Sequence, residues 1–436
     1  MPHDTARFPR PAPTWSVVGY FVPLTVLLYL IDPVGPFFDI AATVVLKHQL
    51  HASLSETTHF RLWTALPVYG GLVFGLIRDR MSPFGRGDRG YFLVAGSLLM
   101  LLMVWMAAQP LTYTRMTLGV VLAMILTRFL VAAYQGLMAW QAQHWAMSGR
   151  MAAVWQFTTY ATALGLVALS GLTAQHGSST AVFLCVAIAA AGIVLYALWR
   201  PHRIYDGADL AHAASSRRLT ADLKRLFRYP AIYPAMAAML MFQFSPGQGV
   251  VLQFYLVDHL KASEAMYGYW YAAFLAGFLP MFVLYGFLCR RLSFDRLLRW
   301  SAVIAIPQVL PLAFIHSAVG ALWLAVPMGL MGGLFWAALH DLAIRSCPPA
   351  LQGALMMIVS GVNALGTRAG DLIGAQVYAS DPEHGFLWCA LLTTVVYTAI
   401  LAVIRAVPAQ VSATVEGTGW SAHGLDHCES EGRQSA

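Results

Sequence analysis

Apolar residues along this chain gather into twelve blocks, each of a length that crosses a membrane. The blocks fall near residues 15–46, 60–77, 91–109, 117–140, 151–175, 180–199, 231–257, 266–288, 297–315, 321–344, 351–377 and 386–407. At about 1.5 Å of rise per residue, each predicts a transmembrane helix. Two blocks, the first of each set of six, are interrupted at mid-length. One reads Leu30-Ile31-Asp32-Pro33-Val34-Gly35-Pro36 and the other Phe244-Ser245-Pro246-Gly247-Gln248-Gly249. Proline removes a backbone donor and clashes with the preceding turn, so both passages should break near the bilayer midplane. Broken backbone survives at that depth only where it is buried in protein or faces water. Matched breaks in two halves point to the binding site of a transporter built from repeats.

Composition agrees with the pattern. Hydrophobic residues make up 58% of the 436 and charged residues only 11%, against roughly 25% charged in a soluble domain. With the N-terminus inside, twenty-one Lys/Arg fall on cytoplasmic segments and four (Lys47, Arg61, Arg115, Lys261) on outer loops. That asymmetry predicts a multi-pass inner-membrane protein with both termini cytoplasmic. The net charge of +7 is then topological and calls for no nucleic acid. No short apolar core with a small-residue cleavage site suggests a removed signal peptide. The five cysteines show no paired spacing, so neither a disulfide framework nor a metal site is expected.

Between the halves, residues 200–230 carry seven basic side chains. Within that linker, 219–228 patterns either as an amphipathic helix on the inner leaflet or as a solvated tether. The expected organisation is a six-helix bundle over 1–199, the linker over 200–230, a second bundle over 231–407 and a disordered cytoplasmic tail over 408–436.

Six plus six helices with a basic central loop resemble the major facilitator superfamily. The stretch Gly75-Leu76-Ile77-Arg78-Asp79-Arg80, followed by Arg86 and Arg89, is similar to that superfamily's loop between helices 2 and 3. The resemblance implies a gate latch in which Asp79 sits near the positive end of helix 11, with Gly75 and Arg80 as its gating neighbours. Within the superfamily, several stretches resemble the folate–biopterin transporter family. They are Pro67-Val68-Tyr69-Gly70, Pro83-Phe84-Gly85, Arg89-Gly90-Tyr91, Ser245-Pro246-Gly247 with Phe254-Tyr255-Leu256, Tyr285 with Arg290-Arg291, and above all Arg345-Ser346-Cys347-Pro348-Pro349. The chain departs from that family in helix 4, where Tyr134, Gln135, Ala139 and Trp140 replace acidic residues, and at Gln352, which replaces a glutamate.

Five charged residues fall well inside the spans: Asp32, Asp39, Arg128, Arg368 and Asp371. Charges at that depth face a bundle interior or a wet cavity and default to functional sites. Two guanidinium groups, Arg128 and Arg368, suit an anionic substrate. Fixed pairs, such as Asp32 or Asp39 with Arg128 and Arg368 with Asp371 three residues on, are the structural alternative. Asp32, Asp39 and Asp371 are the candidate proton carriers. Gln135, Gln243, Gln248 and Asn363 could hydrogen-bond a ligand, as could Gln156, Thr158, Gln253 and Gln376. Tyr134 and Tyr160 could contact its ring, as could Trp155, Trp270, Tyr271 and Trp336. His340 and Asp341 project apart on a helix and fit a gate better than a catalytic dyad.

No phosphate loop, zinc-protease motif or nucleophile elbow occurs, so ATP-driven transport by this chain is excluded and no cofactor is implied. The expectation is an all-α, monomeric secondary transporter that rocks two halves around a midplane site. It would move a small organic anion, pterin- or folate-like first, with or against protons. A muropeptide, siderophore or drug carrier is the alternative within the fold. A membrane-embedded enzyme or a receptor is the alternative outside it.

Overall fold

Among the described residues, twelve membrane passages, all helical, organise the chain. The computed structural model describes residues 14–412 except 177–178, 202–203, 206–218, 316, 349 and 382. The first passage is cut in two by proline and glycine: α1 (Thr14–Ile31), a turn through Asp32 to Gly35, then α2 (Pro36–Val44). Pro36 stands at the first helical position of α2, where its missing N–H breaks no intrahelical bond. The second passage divides at Gly70 into α3 (Leu54–Tyr69) and α4 (Gly71–Arg80). Single helices α5 (Gly87–Ala108), α6 (Tyr113–His144), α7 (Ser148–His176) and α8 (Ser179–Leu198) complete the first half.

The linker carries a helix, α9 (Leu219–Arg228), before the second half begins. The seventh passage repeats the break of the first: α10 (Ile232–Gln243), a turn from Phe244 to Gln248, then α11 (Gly249–Phe254). After it come α12 (Glu264–Leu288), α13 (Phe294–Ala305) with a 3-10 turn at Leu310–Phe314, α14 (Ala318–Arg345), α15 (Gln352–Ser380) and α16 (Gly385–Ile404). The chain continues into a helical turn, α17 (Ala409–Ser412), with Val411 buried. The expected disordered tail, 408–436, is thus helical over Ala409–Ser412, and 413–436 lies outside the described residues.

Among the described residues, eight of the passages are long and apolar enough to cross a membrane on their own hydropathy. Four others do not stand out on that basis. Two are the broken passages, whose pieces α1 and α10 are apolar but short. Of the other two, α15 is long enough but interrupted by polar residues, among them Arg368 and Asp371, and α7 continues beyond its described side chains. The junction between the halves is formed chiefly by α3, α4, α6 and α7 of the first half against α12, α14 and α15 of the second.

The halves also share a turn beyond each break. A π-helical turn follows at Val45–Gln49 and again at Tyr255–His259. Leu50 N and Leu260 N then bond back to Val45 O and Tyr255 O, at 3.1 and 3.0 Å, and Ala52 N and Ala262 N bond to Leu46 O and Leu256 O at 2.9 Å. His51 and Lys261 both take positive φ, and Ser53 and Ser263 both cap the next helix. The sequence carries this as Leu-x-Ala-Ser at 50–53 and 260–263.

Candidate functional site

The two halves touch at the end of the molecule where α4 finishes and α15 begins, which is also the end rich in arginine. There Asp79 accepts from two backbone N–H groups at the start of α15, Gly353 N at 3.0 Å and Ala354 N at 2.7 Å. A helix N-terminus presents unpaired donors and positive partial charge, so a buried carboxylate is well placed against it. Arg78 Nη1 holds Asp79 from behind at 2.7 Å, and its Nε and Nη2 grip Asp88 at 2.6 and 2.5 Å. The approach needs glycine. A Cβ on Gly75 would lie 2.5 Å from Gly353 O, and one on Gly353 would lie 2.6 Å from Asp79 Oδ1. Gly75 and Asp79 thus stand where the loop resemblance places them. Arg80 does not join them: its side chain turns to Asp222 of α9. Arg78 and Asp88 take the places beside Asp79, and Asp88 was legible only as an acidic residue at the start of α5.

A second, uncharged contact sits beside the first. Gln143, near the end of α6, donates to Ile344 O and Cys347 O at 2.8 and 2.9 Å and accepts from Gln352 Nε2 at 3.0 Å. No sequence signal marked Gln143. Deeper in, α7 packs on the second half through aromatic contacts. Trp155 meets His340 edge-on at 5.1 Å, Trp336 donates to Gln156 at 3.1 Å, and Tyr160 stacks on Phe278 at 5.0 Å. Tyr160, read from sequence as a ligand residue, is therefore also part of the floor. His340 and Asp341 do point apart: His340 faces the two tryptophans, while Asp341 accepts from Tyr285 and Arg345 at 2.8 Å.

Beyond the floor, toward the far end, the facing surfaces carry charge. Charged side chains at membrane depth tend to face a bundle interior or a wet cavity. Arg368 is 65% exposed and lies 3.7 Å from Asp371. Asp39 and Arg61 pair at 3.4 Å. At the bottom, Arg128 Nη2 donates to Asp32 Oδ2 at 2.8 Å. The other oxygen of Asp32 accepts from Val34 N at 3.3 Å, within the break itself. Asp32 thus serves both as an ion-pair partner and as a cap for freed backbone. In the second half, Asp371 Oδ1 faces the start of α11 at Val250 N, 3.5 Å away. Gly249 has φ +60° there, and a Cβ on it would lie 2.4 Å from that oxygen.

Arg128 is 5% exposed, and its Nε finds no partner among the described residues. Asn363 Oδ1, on α15, is likewise buried without a partner. A guanidinium with a spare buried donor is costly unless something else completes it. Gln135 reaches Ser360 across the junction at 3.4 Å, Gln243 reaches Thr367 at 3.4 Å, and Gln248 precedes α11 at the break. Tyr134 is not brought to the cleft. Its hydroxyl bonds Thr25 at 2.5 Å and its ring packs on Phe21, because that face of α6 turns into the first bundle. Among the described residues, no cluster of His, Cys, Asp and Glu could hold a metal ion.

The arrangement is that of two bundles closed at one end over a charged cleft. Residues 14–370 match the sequence profile of the Major Facilitator Superfamily. The chain belongs to that superfamily. It is accordingly a membrane transporter of small solutes and not an enzyme. Among solved structures, the human organic anion transporter MFSD10 (TETRAN) superposes with a TM-score of 0.61 at 14% sequence identity. The match covers 90% of this chain and 100% of that one, and at such identity it speaks for the fold. No curated protein sequence matches the chain. The contacts around Asp79 and Gln143 join the two halves of this major facilitator protein at the arginine-rich end.

Proposed function

We propose that this major facilitator protein carries a small organic anion, whose acidic group binds Arg128 at the bottom of the cleft. The observation that carries this reading is the buried, unpartnered Nε of Arg128 beside its single bond to Asp32. A carboxylate accepts two parallel bonds from one guanidinium, and the spare donor is what a second oxygen would use. Asn363 and Gln135 add neutral hydrogen-bonding groups, and Tyr271 a ring face, for the remainder of a planar solute. With the basic end facing the cytoplasm by the positive-inside rule, the chain stands outward-open in an inner membrane, both termini cytoplasmic, acting as a monomer. The folate–biopterin likeness makes a pterin-type anion the first solute to try.

Protons are the proposed coupling ion, with Asp32 as carrier. Substrate and Asp32 compete for one guanidinium, so anion binding and the state of Asp32 are linked. Arg368, Asp39 and Asp371 are secondary candidates for the same two tasks, nearer the mouth.

The test is uptake of labelled pterins, folates and simple aromatic carboxylates into proteoliposomes under an imposed pH gradient. Saturable anion uptake, lost in Arg128→Ala and weakened in Arg128→Lys, is expected. Preference for a cationic or uncharged drug, or transport of a muropeptide or siderophore with Arg128 dispensable, would remove the anion reading.

A further inference from the structure

We infer that Arg80 and Asp222 form a strap across the basic end, which must release when that end opens. The linker helix α9 stands between the halves, and its two sides are tied differently. Before it, the chain is held to the first half: the Tyr205 hydroxyl meets that of Tyr20, and Gln141 Nε2 donates to Ile204 O at 2.6 Å. After it, only Tyr229, Pro230 and Ala231 separate α9 from α10 of the second half. That joint is tight. Ile232 N bonds Tyr229 O at 3.3 Å, and Tyr233 Oη donates to Phe227 O at 2.5 Å. Helix α9 therefore travels with the second half.

Its acidic residue nonetheless returns to the first half. Asp222 accepts from Arg80 Nε at 3.0 Å and from Nη2 at 2.8 Å, and Arg80 ends α4. The Asp222 side chain is only 5% exposed and Leu226, one turn on, is buried. A pair shielded from water keeps strength that an exposed pair loses. Position in the first turn of α9 adds the favourable helix end. Arg80 adjoins Asp79, so the strap and the α4–α15 contact load the same helical turn. When the basic ends part, the short joint cannot let α9 stay behind, and the ion pair breaks. Losing the pair should therefore favour the state with the basic end open and the far end closed.

The inference goes beyond the transport reading, and its test uses no substrate. Tyr271 on α12 is 45% exposed, and α12 packs against α7 of the first half. Tyr271→Cys provides a thiol whose labelling by a bulky maleimide reports an open far end, with the parent chain as background. Arg80→Gln and Asp222→Asn should each slow labelling about fivefold. The reversed pair, Arg80→Asp with Asp222→Arg, should restore most of the lost rate. Inserting Gly-Ser-Gly after Tyr229 keeps both charges but frees α9 from the second half, and should slow labelling as the single changes do. Unchanged labelling in the folded single variants overturns the strap, as does a reversed pair no faster than they are. If a single variant does not fold, the insertion decides: slow labelling supports the strap and parental labelling refutes it.

Discussion

Arg128 Nη2 lies 2.8 Å from Asp32 Oδ2, so an ion pair pins the break in the first passage to the middle of α6. Each partner limits what the other can do. The pair also allows folding and function to be separated by substitution.

Arg128→Ala should cost both binding and stability, since it strands Asp32. Removing one member of a buried pair destabilises by about 3–5 kcal/mol. Arg128→Lys keeps the charge and loses the fork. It should leave folded yield near the parent and weaken anion affinity about tenfold or more. Binding per folded molecule, measured on monodisperse protein, checks this. Equal affinity in the lysine variant would remove Arg128 from the site.

Asp32→Asn keeps a group able to accept from Val34 N while removing the charge. Anion exchange without a gradient should survive, and accumulation driven by a pH gradient should vanish. Full gradient-driven accumulation would shift the proton to Asp39 or Asp371.

Asp79→Asn replaces one of two acceptor oxygens with a donor that faces Gly353 N or Ala354 N. The basic end should then close less often, and turnover should fall severalfold with folding intact. Gly75→Val should be harsher, because its Cβ has no room against Gly353 O. Labelling from the far side, measured with uptake, distinguishes a lost gate from a lost fold.

The contact of Gln143 with Gln352, Ile344 O and Cys347 O involves no ionisable group. Gln143→Ala should loosen the same end less than Asp79→Asn does, because it removes neutral hydrogen bonds and leaves no buried charge without its partner. The comparison is the far-side labelling rate of the two variants.

Reporter fusions at Gly207 and after Ser421 should both report the cytoplasm. A periplasmic signal at either position would invert the orientation drawn from the arginine distribution.

The two mid-length breaks were legible because proline and glycine act on their own helix, whatever packs nearby. The Asp79 contact was legible because a carboxylate four residues after a close-packing glycine is a local signature. Partners drawn from the other half were not legible. Nothing near Gln143 in sequence foretells Ile344 or Cys347, and nothing near Arg80 foretells Asp222. Tyr134 misled because the turn of α6 that carries it faces inward to Thr25, and a helix hydrophobic on all sides does not announce its facing. The duplicated turn at 50–53 and 260–263 was present in plain letters. Its meaning needed the matched π-helical turns to be recognised.

That duplication has a consequence for where a passenger sits. The shared turn shows two copies of one frame, yet the charges inside the frames are unequal. The first break offers a carboxylate facing a guanidinium, while the second, Phe244 to Gln248, offers no charge at all. Helix α14, the counterpart of α6, bears no Asp, Glu, Lys or Arg until Asp341, which is engaged with Tyr285 and Arg345. A solute gripped by its acidic group therefore lies off the axis that relates the halves. On the proposed reading, one bundle is the seat and the other the door that swings past it.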